Sequence, residues 1–151
     1  MIKSDFDTPL SPDDFVSAKE IINKAQLNKV DVIINVGTSL IESKNCIALA
    51  QQFANNYAVV GIHPNDITNS WQDELKQIDA LLKKKEELKI VGIGECGLDF
   101  HYPDYNVQQQ KDVFKAQIEC ALKHDLALVI HTRDARDETL HVIEEYHKEI
   151  S

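Results

Sequence analysis

Val91-Gly92-Ile93-Gly94-Glu95-Cys96-Gly97-Leu98-Asp99-Phe100 decides how this chain reads. An apolar, β-prone run from Ile90 to Ile93 ends abruptly in a carboxylate flanked by glycines. Gly94 and Gly97 permit backbone conformations that a Cβ forbids, so the chain can turn tightly and hold Glu95 at a strand mouth. A partly desolvated carboxylate there suits a divalent cation. It equally suits a cap or a salt bridge to a neighbouring strand, and the stretch alone leaves both readings open.

Outward from this strand, which the pattern places at Lys89–Gly94, apolar runs alternate with amphipathic ones. Downstream, Glu95 to about Tyr105 reads as the longest loop. Asn106 then caps a helix with Val113, Phe114, Ile118, Ala121 and Leu122 on its face, and Leu126 to Ile130 is a further strand. Asp134 caps a last helix bearing Leu140, Ile143 and Tyr146. Upstream, Tyr57 to Ile62 is a strand closing on His63-Pro64. Ser70 caps a helix carrying Leu75, Ile78, Leu81 and Leu82, with Lys83-Lys84-Lys85 near its end. Val30 to Val36 is another buried-type strand ending at Gly37. Ser39-x-x-Glu42 is a capping-box pattern ahead of a face made by Cys46, Leu49, Ala50 and Phe53. Ser11-Pro12-Asp13-Asp14 starts the first helix, with Phe15, Ala18, Ile21, Ile22 and Ala25 at helical spacing. Residues 1–10 are irregular or at most an edge strand.

Strands that are apolar on both faces, alternating with helices, demand a parallel sheet covered by helices and joined by right-handed crossovers. No linker or low-complexity segment interrupts the pattern, so residues 1–151 are expected to form a single domain.

The composition is that of an ordinary globular chain: 151 residues, 43% hydrophobic and 27% charged. No apolar stretch approaches the roughly 20 residues of a membrane span, and no basic-then-apolar leader opens the sequence. No membrane association and a cytoplasmic location are expected. Three cysteines, Cys46, Cys96 and Cys120, form no C-x-x-C pair and read as reduced and buried. Cys96 beside Glu95 reads as packing. A net charge of −9 weighs against holding a polyanion by charge alone, so a nucleic-acid substrate would need bound cations.

In this reading the strand C-termini present Gly37-Thr38, His63, Glu95 and His131, and in parallel α/β folds those ends form the ligand face. Each histidine singly is as well explained by a hydrogen bond to backbone. His131 carries more, because Thr132-Arg133 follow: an imidazole ligand with a guanidinium two residues on suits a metal-bound phosphate or carboxylate. Asp99 either orients a ligand or caps the loop. His101, Tyr102 and Tyr105 fall in the long loop, and His124, His141 and His147 on helices read as surface residues.

Three segments in order carry a family resemblance. Val60-Gly61-Ile62-His63-Pro64, Gly92-Ile93-Gly94-Glu95-Cys96-Gly97-Leu98-Asp99-Phe100 and Val129-Ile130-His131-Thr132-Arg133-Asp134-Ala135 resemble the successive signatures of TatD-type metal-dependent deoxyribonucleases, amidohydrolase-like TIM barrels. The resemblance implies an α/β fold of partial (β/α)-barrel type, four parallel strands near 30–36, 57–62, 89–94 and 126–130 in an open arc. It implies divalent metal ions (magnesium, manganese or zinc) and DNA as substrate. Glu95 would bridge two ions and His131 would ligate one. His63 and Asp99 would serve substrate binding, and Arg133 would approach a phosphate beside Glu95 in the catalytic group.

The departures count too. The family opens with an H-x-H pair; here Asp5-Phe6-Asp7 stands in its place, and the family's later ligands have no counterpart. The expectation is a barrel incomplete at both ends, with ions held weakly. Two readings of function therefore stand together, one being a metal-dependent hydrolase of DNA phosphodiesters. The other is a non-catalytic remnant or fragment acting through self-association at open sheet edges or through a partner, with no nuclease activity of its own. Ester or amide hydrolysis on the same scaffold is a third.

Overall fold

The computed structural model describes residues 8–148. Asp5 and Asp7 lie outside the described residues. Four strands, β1 (Ile33–Val36), β2 (Asn56–Val60), β3 (Ile90–Asp99) and β4 (Ala127–Arg133), pair in parallel and in chain order. Helices α1 (Pro12–Leu27), α2 (Leu40–Gln52), α3 (Trp71–Leu82), α4 (Val107–His124) and α5 (Arg136–Glu144) complete an open half-barrel. Parallel order and an open arc are as the sequence implied. No helix among the described residues is long and apolar enough to cross a membrane.

The strand limits differ from the apolar runs. β1 starts at Ile33 because the turn through Lys29, at φ 63°, delays pairing until Asn56 is opposite. β3 does not end at Gly94: pairing with β4 resumes at Cys96 and continues to Asp99 opposite Arg133. Half of the expected loop is therefore strand, and Glu95 and His131 lie within the sheet near its mouth.

The helix caps agree with the sequence only in part. Ser11 and Asp14 make a reciprocal capping box on α1. Ser39 accepts from the Glu42 N–H, but the Glu42 carboxylate bonds Thr38 instead of closing a box. Ser70 occupies the N-cap of α3 without bonding its backbone; its hydroxyl turns to Glu74. Asn106 caps α4 as expected. The cap position of α5 is Ala135, not Asp134, whose backbone is left-handed at φ 53° and whose carboxylate lies 2.9 Å from His101 Nδ1.

One sheet face is sealed by helices. Ala58, Val60, Ile62, Ile90 and Ile93 pack with Cys46, Ile47 and Ala50 of α2, Ile78 and Leu82 of α3, and Val113 of α4. Cys96 and Leu98 meet Phe114 and Ile118 of α4, Ala135 and Val142. On α5 it is Val142 and Thr139 that turn inward, leaving Leu140 exposed. α1 forms with its predicted cap, yet none of its residues is buried. The other sheet face exposes Ile34, Val36, Val91 and Val129.

Candidate functional site

Between Ile93 and Cys96 β3 carries one residue more than β4 does between Leu128 and Ile130. This bulge keeps both Ile93 and Cys96 on the helix side and sends Glu95, Gly97 and Asp99 to the opposite face. His131 and Arg133 share that face through the period of two on β4. Gly94 and Gly97 sit at φ 143° and 140°, where L side chains are strained. A Cβ at Gly94 would also overlap the Val129 carbonyl, and one at Gly97 the His131 carbonyl. Both glycines are therefore required for β3 and β4 to close on each other at the site.

His131 is held from two sides. Its Nδ1 lies 3.2 Å from Glu95 Oε1 and its Nε2 lies 3.0 Å from Asp99 Oδ2. The His63 ring, just past β2, approaches edge-on with centroids 4.3 Å apart. Asp99 is the anchor, its side chain only 1% exposed. Its carboxylate also accepts from Asn65 Nδ2 at 2.9 Å and from the His101 N–H at 3.0 Å. Gln110 of α4 bonds both the N–H and the carbonyl of Asp99. Burial works to raise the Asp99 carboxyl, but the bonds from His101, Asn65 and His131 outweigh it and hold it below the usual carboxylate value. Burial, helped by the neighbouring His131, pushes His63 down. Its Nδ1 accepts from the Asn65 N–H at 3.1 Å, which places the ring proton of the neutral form on Nε2.

An imidazole between two carboxylates poses a chemical question. A neutral ring donates from only one nitrogen, so the second nitrogen faces a carboxylate lone pair to lone pair. A proton or a metal cation between them removes that conflict. His63, Asp99 and His131 each offer an atom within 4.8 Å of the others', while Glu95 lies against the other nitrogen of His131, and an imidazole flanked by carboxylates suits zinc or manganese. The residues fit a divalent ion.

Glu95, His131, His63 and Asp99, singled out in the sequence, are thus brought together. Arg133 is exposed two residues on, its guanidinium 5.6 Å from the Tyr102 ring centroid. Asn65 and Gln110 join the site without having been legible in the sequence; the one signal for Gln110 is a polar residue on the apolar stripe of α4. Cys96 is buried as packing, which pushes its thiol up to about 12. His124 is no surface residue: α3 packs over it, its side chain is 13% exposed, and it bonds Asp79. The open cleft of about 860 Å³ nearby is lined by Asp134, Asp137 and Glu138 against Arg136, a mainly acidic wall.

Residues 5–150 match the family model described as TatD related DNase. The chain belongs to the TatD family. It is 32% identical over 141 residues to a protein of Citrobacter koseri named 3'-5' ssDNA/RNA exonuclease TatD, covering 93% of this chain and 53% of that one. A Bacillus subtilis relative, the uncharacterized metal-dependent hydrolase YabD, is 32% identical over 127 residues, 84% of this chain and 49% of that one. The crystal structure of the TatD homologue YJJV from Escherichia coli superposes with a TM-score of 0.79 at 25% identity, covering 93% of this chain and 55% of that one. The chain spans about half the length of the curated TatD relatives it matches.

Proposed function

We propose that this chain carries a TatD-type metal-dependent site for hydrolysing phosphodiester bonds of DNA. The observation behind this reading is His131 set between Glu95 and Asp99. Glu95 and His131 would hold a divalent ion, magnesium, manganese or zinc, with Asp99 on the far nitrogen of His131. Such an ion supplies Lewis-acid activation of water and phosphate and local positive charge against the net −9. Asp99 fixes the His131 ring from the dry side. His63 offers its Nε2–H to a phosphate oxygen. Arg133, on the same face and within cation–π range of Tyr102, steadies the phosphate in a bidentate manner. Unpaired, buried cysteines suit the cytoplasm as location.

The name of the Citrobacter relative directs the assay to nucleotide release from single-stranded DNA with Mn²⁺ or Mg²⁺. Glu95→Ala and His131→Ala should each lower the rate by more than the roughly 10–100-fold that losing an outer-shell partner costs. Cleavage that survives both changes would place the chemistry elsewhere. The exposed face of Ile34, Val36, Val91 and Val129 favours a second reading, a non-catalytic module that associates with a copy of itself or a partner. Metal binding that depends on Glu95, without cleavage, would select it.

A further inference from the structure

α4 runs back against the strands, so its last turn lies at the end of the sheet opposite Glu95 and His131. There Cys120, Lys123 and His124 meet Asp79 of α3. Asp79 Oδ1 accepts from Lys123 Nζ at 2.7 Å and lies 2.9 Å from His124 Nε2 and 3.9 Å from Cys120 Sγ. The oxygen, nitrogen and sulfur all fall within 4.8 Å of one another. Cys120 and His124 stand one helical turn apart on one face, the spacing at which two side chains can share a ligand. Asp79 closes on them from the facing helix.

We propose that Asp79, Cys120 and His124 form a second metal site, of zinc class, pinning α3 to α4. A thiolate, an imidazole and a carboxylate are the donors zinc takes, and the sulfur excludes magnesium and calcium. The side chains of Asp79 and His124 are 25% and 13% exposed, so water can fill the fourth position. The surroundings define what zinc must do. Cys120 gives its thiol proton to solvent on binding, and the positive ion replaces it beside the Asp79 carboxylate. The ammonium of Lys123, which neutralises Asp79 in the metal-free arrangement, swings out to solvent, where its side chain is already 60% exposed. Neither Cys46 nor Cys96 belongs to a donor group of this kind among the described residues, so sulfur ligation reports Cys120.

Cobalt is the probe, titrated into protein carrying Glu95→Ala and His131→Ala so that the sheet site contributes nothing. A near-ultraviolet thiolate-to-cobalt band should grow in, saturate at one equivalent, and be displaced by zinc. Cys120→Ser should abolish it, and His124→Gln should weaken binding at least about tenfold. Lys123→Met, which removes the competing cation, should tighten binding, by up to about fivefold given the small worth of an exposed ion pair. No band at saturating cobalt, or a band that persists in Cys120→Ser, overturns the site. If Cys120→Ser does not fold, alkylation of the unmutated chain decides: zinc should protect Cys120 at least about tenfold, and unchanged labelling refutes the proposal. None of these readouts depends on DNA cleavage, so the second site stands or falls apart from the nuclease reading.

Discussion

At the scale of single residues, the site is a competition for protons. His63 is pushed below the ordinary histidine value of 6.5 by burial first and by His131 second. A depressed base binds its proton less readily folded than unfolded. Its contribution to stability is therefore complete above 6.5 and is lost as the pH falls from there through the lowered folded value. Asp99 acts in the same direction at more acid pH, because a lowered carboxylate is protonated first in the unfolded chain. In chelator-treated protein, urea midpoints taken from about pH 7.5 to about pH 5 should decline, and His63→Asn should flatten the upper part of the decline. An unchanged profile would mean that His63 titrates as freely folded as unfolded. Glu95, His131 and His63 stand out in the sequence because each lies beside a glycine, a proline or the end of an apolar run, whereas Asp99, between Leu98 and Phe100, carries no such mark. The role of Asn65 was not legible, since a polar residue in a turn announces no partner 34 positions away.

The element that does most to shape the site is α4, and its least legible residues do it. Gln117 bonds the N–H and carbonyl of Ile62 at 2.8 and 2.9 Å, and Gln110 bonds those of Asp99 at 2.9 Å each. Where β2 and β3 stop pairing, these amides stand in for the missing neighbouring strand. Periodicity identified the helix and its cap from Val113, Phe114 and Ile118, but a glutamine on an apolar stripe is indistinguishable there from a boundary residue. Replacing Gln117 with Leu leaves a buried N–H and a buried carbonyl without partners and should cost roughly 2–4 kcal/mol in urea unfolding. Gln110→Leu should cost about as much and also weaken metal binding at the sheet site, because it frees the peptide of Asp99. Equal metal affinity in the two variants would mean that α4 supports the fold but not the site. The lysines after α3 were similarly half-legible. Lys83-Lys84-Lys85 reads as a tail on its own helix; instead Lys85 bonds the last carbonyl of α4, and Lys89, which reads as the start of a strand, bonds Ala50, Phe53 and Ala54 at the end of α2.

The behaviour of the whole molecule is set by the sheet face the helices do not cover. Ile34, Val36, Val91 and Val129 are 53, 39, 37 and 36% exposed on it, and β1 and β4 are the edge strands of the described sheet. The parallel order and the helical cover were legible because apolar runs of both-face type admit few alternatives. Which face stays open was not, since an inward valine and an outward one look alike in sequence. Apolar area on a sheet with free edges drives association, while a charge of −9 on each copy opposes it. Salt separates the two effects: at about 0.15 M the screening length is near 8 Å, and the repulsion fades while the apolar drive remains. Sedimentation velocity should therefore show dimers or larger species that grow with salt. Val91→Lys on the open face should shift the chain toward monomer without altering its helical circular dichroism. A monodisperse, thermally robust monomer at both low and high salt would remove association from the account. The uncovered valines would then be left to a partner or to nothing, and the nuclease reading would have to stand on Glu95, His131 and Asp99 within one copy.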